Sequence, residues 1–523
     1  MSTTRASSTR APSDARLRGL LISLCVGLAL VVAGNSALAI ALPDIATDLE
    51  ADQSELTWII DAYALTFAAF LLTAGLLADK IGRRTIIVVG LSVFGAASVA
   101  SAFAPDPAWF IALRAISGAG AAAIFPVTLS ALVDAYPPER RTFAIAVWSG
   151  VSSAGAVAGT IVAGVLLEWF WWGSVQLLFG GVALLLVIPS LILVAQNRNP
   201  RLSADPLAAL WSVLALTGIV FAVIEGPKLG WDDPLVLAAL AVGIVGVAAF
   251  IVHQLRAKEP SLDVRLFRSR GLSAGSLIVT AQFFASLGLF VLAPQYLQLV
   301  EEFTPLGAAL SLLVIPLGVG AGIGGSVALA RRFGQGTPGA LGLVLMAGGF
   351  AGAAVTLGEG AGASIWMLAA ALAVFGVGFG MGITPGTELI IEGLPAERRS
   401  IASAVNDITR EVGGVLGIAV LSSVLLSSYR DEIAGVLDGV PEPAREVIES
   451  GAGAAIGASE AFGPAGEAIA KAARDAFAIG LGSASWVAAA VLAVTAVVCI
   501  ALVPPRRAAA APAAIDAAQR VAR

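Results

Sequence analysis

Apolar runs of about twenty residues recur along nearly the whole chain, each long enough to cross a ~30 Å hydrocarbon core as a helix. Inside lipid no water satisfies the backbone, so only helices or a closed barrel can span it. Barrel strands would alternate apolar and polar residues with period two, and these runs do not. The sequence therefore predicts an all-α polytopic membrane protein. Helix cores are expected at 18–42, 56–78, 85–104, 108–134, 142–166, 171–195, 206–226, 234–255, 272–300, 306–330, 338–357, 363–391, 400–428 and 477–503, fourteen in all. Composition agrees: 13% of the 523 residues are charged, about half the share usual in a soluble chain.

The loops test that count, because positive charge gathers on the cytoplasmic side of a membrane protein. With both termini cytoplasmic, the inside segments hold 24 of the 31 Lys and Arg residues. The outside loops hold Lys228, Arg430, Arg445, Lys471 and Arg474, and Arg114 and Arg410 lie within spans. The first outside loop is acidic, with Asp44, Asp48, Glu50, Asp52 and Glu55. Trp58, Trp109, Trp171, Trp172 and Trp231 fall near outer ends, where an aromatic belt is expected. The polar start, Met1 to Arg18, precedes a run too long for a signal-peptide core, so that run is read as an uncleaved first span.

Cys25 and Cys499 sit in apolar runs and are expected as buried small side chains. His253 is the sole histidine, expected at a solvated helix end, so no multi-histidine metal site can form. No metal, cofactor or nucleic acid is expected. No Walker-type phosphate loop and no nucleophile elbow occurs, which argues against ATP-driven transport and a membrane hydrolase.

The segment from Pro137 to Val147 resembles that from Pro395 to Val405, 258 residues later, and at the same offset Gly155 matches Gly413 and Gly159 matches Gly417. Both copies would join the fourth and fifth helices of a six-helix half. Duplicated halves about a central site are an architecture for alternating access. The expected organisation is a cytoplasmic tail (1–17), a six-helix bundle (18–195), two inserted spans with a cytoplasmic linker (196–271), a second six-helix bundle (272–503) and a second cytoplasmic tail (504–523). Residues 429–476 are Gly-, Ala- and Glu-rich, and are read as a long external surface loop, partly helical on the interface.

Between the second and third spans the chain reads Gly75-Leu76-Leu77-Ala78-Asp79-Lys80-Ile81-Gly82-Arg83-Arg84. Gly75 allows a close helix neighbour and Gly82 a tight turn. Arg83 and Arg84 are expected to pair with acids at other helix ends, Asp134 above all, as a cytoplasmic latch.

This segment resembles the signature loop of the major facilitator superfamily. Other segments resemble its fourteen-span drug:proton antiporter branch (EmrB/QacA type). Ala41-Leu42-Pro43 resembles the branch's first-span ending, and Trp58 through Asp61, Tyr63 and Leu65 its second span. Arg114 through Gly118 and Gly120 resembles the fourth span, and Ser403 through Asn406, Asp407, Arg410, Glu411 and Gly413 the thirteenth. The resemblance covers the chain apart from its tails and last outside loop. It implies coupling roles for Asp61 and Arg114. Two departures stand out. Gly34, Asn35, Ser36 and Ala39 occupy the stretch where the branch carries a first-span Asp. The fifth-span antiporter motif reads Gly159-Thr160 and Ala163-Gly164, without its proline; the glycine spacing Gly150, Gly155, Gly159, Gly164 survives.

Asp61 and Arg114 enter their spans to a similar depth, roughly 8 Å from outside, so they are expected to pair. Asp407 and Glu411 share a helix face at i, i+4, with Arg410 in reach of Asp407. Three acids against two arginines leave one acid without a counter-ion. A charge near the bilayer centre costs at least ~2.5–3.5 kcal/mol, so taking up a proton is the cheaper outcome. Asn35, Asn406 and Glu388 are candidate cavity residues; Glu225 is read as a solvated rim residue. The function expected is proton-coupled efflux of small hydrophobic or cationic compounds by a monomer in a bacterial inner membrane. An exporter of lipid or of a self-made metabolite is the alternative within transport, and a non-transporting membrane sensor the alternative outside it.

Overall fold

The computed structural model describes residues 14–197, 205–257, 260, 262–394, 402–437, 440–459 and 464–502. Its elements are α1 (Asp14–Asp48), α2 (Gln53–Ile81), α3 (Arg83–Ser101), α4 (Pro107–Ala135), α5 (Pro138–Leu167), α6 (Gly173–Leu193), α7 (Pro206–Leu229), α8 (Pro234–Arg256), α9 (Arg270–Leu299), α10 (Pro305–Ser311), α11 (Val314–Phe333), α12 (Gly336–Leu357), α13 (Ile365–Glu392), α14 (Ala402–Ile433), α15 (Glu442–Glu449), α16 (Ala452–Ser459) and α17 (Pro464–Leu502). Among the described residues, thirteen segments are long and apolar enough to cross a membrane. The described apolar part of α5, Ala154–Leu167, is shorter than a span, although α5 itself has 30 residues.

Local chemistry sets the boundaries. Asp52 and Glu55 form a reciprocal capping box that starts α2, at 2.7 and 2.9 Å. Asp106, Asp205 and Asp233 cap α4, α7 and α8, each followed by a proline that needs no donor there. Gly82, with φ 115°, makes the sharp turn from α2 to α3. The single span expected at 306–330 is broken between α10 and α11. Pro316 explains the break, since it has no N–H to donate to Leu312 four residues back.

α1 packs on α5, α6 and α4, α4 on α2 and α3, and α3 on α6. Later in the chain, α13 packs on α12, α11 and α9, α14 on α9 and α17, and α17 on α12. α7 pairs with α8 and also wedges against α2 and α14, whereas α8 is mostly exposed. Glycines permit the closest approaches. A Cβ on Gly159 of α5 would meet Ala33 of α1 at 2.6 Å, and one on Gly155 would touch Val32 at 3.4 Å. Gly413 and Gly417 of α14 face the carbonyls of Thr280 and Phe284 on α9 with the same one-turn spacing.

The segment expected as a surface loop is instead mostly helical. α14 runs on to Ile433, α15 and α16 follow, and α17 starts at Pro464 rather than near 477. Tyr429, Ile433, Ile448, Ala455 and Ala473 are fully buried in the main core. An Ala- and Gly-rich stretch hides little apolar surface per residue, but it packs tightly once helices lie beside it.

The two ends of the bundle differ. At the acidic end, where α1 turns into α2, polar contacts join the first six helices to later ones. Lys228 pairs with Asp52 at 2.6 Å, the Gln53 N–H donates to the Ser450 carbonyl at 3.0 Å, and Gln298 donates to the Ile40 carbonyl at 2.9 Å. At the basic end, where α2 turns into α3, the contacts among described residues stay within a group. Arg140 pairs with Asp14 at 2.8 Å and Tyr136 donates to the Leu17 carbonyl at 2.9 Å. His253, expected at a solvated helix end, lies 2.9 Å from Asp205 and ties α8 to α7. Trp172 is buried and donates to Asp48 at 2.9 Å, and Trp58 is half-buried, so neither belongs to a belt; Trp109, Trp171 and Trp231 are exposed.

Candidate proton-coupling site

α2 presents two faces to two different partners. Ile59, Tyr63 and Thr66 face α4. The Arg114 Nε donates to the Ile59 carbonyl at 3.0 Å, and its guanidinium lies 4.3 Å from the centre of the Tyr63 ring. Thr66 donates to the Ala115 carbonyl at 2.8 Å, and Gly118 leaves the room for that approach, since a Cβ there would strike Thr66 and Tyr63. Tyr63 in turn donates to the Val31 carbonyl of α1 at 2.9 Å. Arg114 is 1% exposed, a buried guanidinium held by a carbonyl and an aromatic face.

Asp61 points elsewhere, and the expected Asp61–Arg114 pair does not form. Asp61 is 0% exposed and neither carboxylate oxygen has a hydrogen-bond partner. It is two residues from both Ile59 and Tyr63, so at ~100° per residue it lies roughly 160° round the helix from each. Its face carries Trp58, Ala64 and Leu65, which pack on Val220 and Ile224 of α7 and on Val415 and Ala419 of α14. The two side chains match in depth and are opposed in azimuth. An ionised carboxylate buried without a donor costs several kcal/mol, so this conformation favours the neutral acid.

α14 carries the second group. Thr387 of α13 donates to Asn406 Oδ1 at 3.0 Å, and Glu388, half-buried, follows it in sequence. Arg410 stacks over Phe283 of α9 at 4.4 Å, and Phe283 meets Phe379 of α13 edge-on at 5.6 Å. Glu411 lies within electrostatic reach of Arg410 and Asp407, and of Tyr63 on α2. The structure thus brings Glu411 near the Tyr63–Arg114 contact of the first six helices. Asn35 occupies α1, but its side chain lies outside the described ones, as does that of Asp79; its neighbour Ser36 donates to the Ala156 carbonyl at 2.9 Å.

At the basic end Arg83 pairs with Asp134 and donates to the Ser130 carbonyl at 3.0 Å. Asn197 donates to the same Asp134 carboxylate at 3.0 Å. Gln196 bridges the Ile81 carbonyl at 3.0 Å and the Thr85 hydroxyl at 2.8 Å, in space that any Cβ on Gly82 would fill. Arg84 is half-buried, and a Cβ on Gly75 would touch Pro126 at 3.8 Å. Gly164 approaches Leu306 and Ala309 across to α10, whereas Gly150 faces open space. The second copy of the repeated segment, Pro395 to Ile401, lies outside the described residues.

Sequence reasoning missed two features. Glu225 is no free rim residue: it accepts a hydrogen bond from the Trp58 indole at 2.8 Å. Beside it, Gln53, Ser54, Thr57, Ser422 and Ser423 line a narrow pocket against Ile224. Buried charge announces itself in a sequence; neutral hydroxyls among alanines do not.

Buried acids and arginines at membrane depth, carried by two groups of helices joined at one end, define a polytopic transporter fold. The Major Facilitator Superfamily model matches residues 24–418. The chain belongs to that superfamily. It is 33% identical over 500 residues to the multidrug efflux pump LfrA of Mycolicibacterium smegmatis, covering 95% of this chain and 98% of that protein. It is 33% identical over 415 residues to a methylenomycin A resistance protein of Streptomyces coelicolor, covering 78% of this chain and 86% of that one. The fold matches a bacterial homologue of the lysosomal transporter Spinster at TM-score 0.67 and 16% identity, over 95% of this chain and all (100%) of the other. It matches a D-xylose–proton symporter at TM-score 0.61 and 14% identity, over 94% and 98% of the two chains.

Proposed function

We propose that the protein is a proton-coupled exporter of small hydrophobic or cationic compounds, working as a monomer in a bacterial inner membrane. Both termini would be cytoplasmic, as the charge of the loops favours, so the acidic end faces out. Spans α1–α6 and α9–α17 would form two six-helix halves with α7 and α8 inserted between them. The relatives named for drug efflux and resistance support the substrate class.

The observation that carries the reading is Asp61: a fully buried acid at membrane depth with both oxygens lacking a donor. In the conformation described, contacts between early and late helices hold the acidic end together, which fits an inward-open state. Asp61 keeps its proton there as the cheaper form. Rocking the halves wets its surroundings, and the neutral and charged forms then exchange. That cycle ties proton movement to the change of access. Glu411, near Tyr63 and beside Arg410, would be the acid that meets a cationic substrate. The Arg83–Asp134 pair would brace the cytoplasmic side, and the glycines of α5 and α14 would provide its sliding contacts.

The test is transport of ethidium by the purified protein in proteoliposomes under an imposed pH gradient. Gradient-driven movement, lost on adding a protonophore and in Asp61→Asn with binding retained, is the expected result. Transport indifferent to gradient and protonophore would reject coupling. It would favour the alternative of an uncoupled lipid or metabolite exporter, which the absence of an acid around Gly34 in α1 suggests.

A further inference from the structure

We infer that the seam between α2, α7 and α14 is the proton's own path from the acidic end to Asp61, with Ser54, Thr57 and Ser422 as its polar steps. The inference rests on the proton-coupled reading above. Ser54, Thr57 and Asp61 succeed one another at i, i+3 and i+7, so they form a single stripe about 10 Å long on α2. The stripe faces α7 and α14, away from Arg114. Ser54 and Thr57 line a narrow pocket with Ile224, Ser422 and Ser423, and one turn deeper Asp61 sits among the residues of the same three helices.

The burial pattern points to a mobile occupant. Ser54 is 3% exposed and Ser422 2%, yet neither hydroxyl has a hydrogen-bond partner, nor does the Gln53 amide nitrogen beside them. Thr57 donates to the Gln53 carbonyl at 2.8 Å and lines the same pocket. A purely structural contact between apolar helices would use alanine or leucine here, because an unpartnered buried hydroxyl is a net cost. Hydroxyls repay that cost when water or a proton passes. The pocket is too narrow for an ordered water in this conformation. Its mouth is held by the Lys228–Asp52 pair, by Arg430 donating to the Pro227 carbonyl, and by the Trp58–Glu225 bond. Glu55 lies within electrostatic reach of Asp52, Lys228 and Glu225 at that mouth. Opening the acidic end releases these contacts, and the hydroxyl file then joins the outer water to Asp61. α7 thereby gains a role: it walls the file off from lipid.

The test compares pH-gradient-driven ethidium transport with gradient-independent counterflow in proteoliposomes. In the Ser54→Ala/Ser422→Ala double variant the driven rate should fall about tenfold, while counterflow stays within about twofold of the unaltered protein. The Ser54→Thr/Ser422→Thr double variant, which keeps both hydroxyls, should retain the driven rate. Unchanged driven transport in the double variant, with Asp61→Asn inactive, would overturn the path and leave the coupling reading intact. Equal loss of both rates would also overturn it, by making the seam structural. Absence of gradient-driven transport in the unaltered protein would sink the reading on which the path rests.

Discussion

Asp61 on α2 and Glu411 on α14 are both acids at membrane depth, and the protein treats them oppositely. Asp61 is fully buried with no donor for either oxygen, on the α2 face whose Ala64 and Leu65 pack on apolar residues of α7 and α14. Glu411 has Arg410 and Asp407 on its own helix and Tyr63 across the interface within electrostatic reach. On the proposed reading, this difference gives proton carriage to the first acid and recognition of a positively charged substrate to the second. It also shows that an ion pair needs more than equal depth: Arg114 is occupied by the Ile59 carbonyl and the Tyr63 ring on the opposite side of α2.

The largest expected effect tests that assignment for Asp61. Asp61→Asn should lower gradient-driven transport by about 100-fold or more, with thermal stability equal to or above that of the unaltered protein, since a neutral side chain replaces a costly one. The exchange of partners, Asp61→Arg with Arg114→Asp, should give no rescue. Recovery of transport in that double variant would show that the two form a functional pair in some state, and the contrast drawn with Glu411 would fail.

Glu411→Gln should act more mildly. Driven transport of a cation is expected to fall about tenfold, while that of an uncharged substrate changes by less than about threefold. Parallel transport assays with one substrate of each kind sharpen the comparison. An equal loss for both would move Glu411 from substrate recognition to proton carriage, alongside Asp61.

The sequence made some of this legible and hid the rest for physical reasons. Spans and turns are local: apolar runs, the Asp52–Glu55 box, the Asp-Pro starts and Gly82 each act within a few residues. Arg83 and Asp134 were legible together because they lie at helix ends on the same side, Arg83 opening α3 and Asp134 near the close of α4. The azimuth of Asp61 was hidden, because it depends on where α4, α7 and α14 stand around α2. The helices of 434–476 were hidden too, because their alanines and glycines gain stability only from neighbours far along the chain. α7 was legible as a span, but its wedge between α2 and α14 was not.

The smallest effects come from the glycines, where the comparison of regions runs between α5 and α14. A Cβ on Gly417 would strike the Phe284 carbonyl of α9, and one on its counterpart Gly159 would meet Ala33 of α1 at 2.6 Å. A Cβ on Gly150, in the same spaced series, would meet nothing within 4 Å outside its own helix backbone. A methyl at Gly417 must push two backbones apart, which typically costs ~1–3 kcal/mol. A methyl at Gly150 meets nothing and removes a helix-weakening residue, worth up to about 1 kcal/mol in the other direction. Thermal unfolding in detergent should therefore rank Gly150→Ala at or above the unaltered protein and Gly417→Ala clearly below it, with Gly159→Ala close to Gly417→Ala. If Gly159→Ala proved harmless while Gly417→Ala did not, the α1–α5 and α9–α14 contacts would not be equivalent. If Gly150→Ala left stability intact yet slowed transport, Gly150 would be a contact made only when the basic end closes. The open space now facing it would then be the volume swept by the rocking halves.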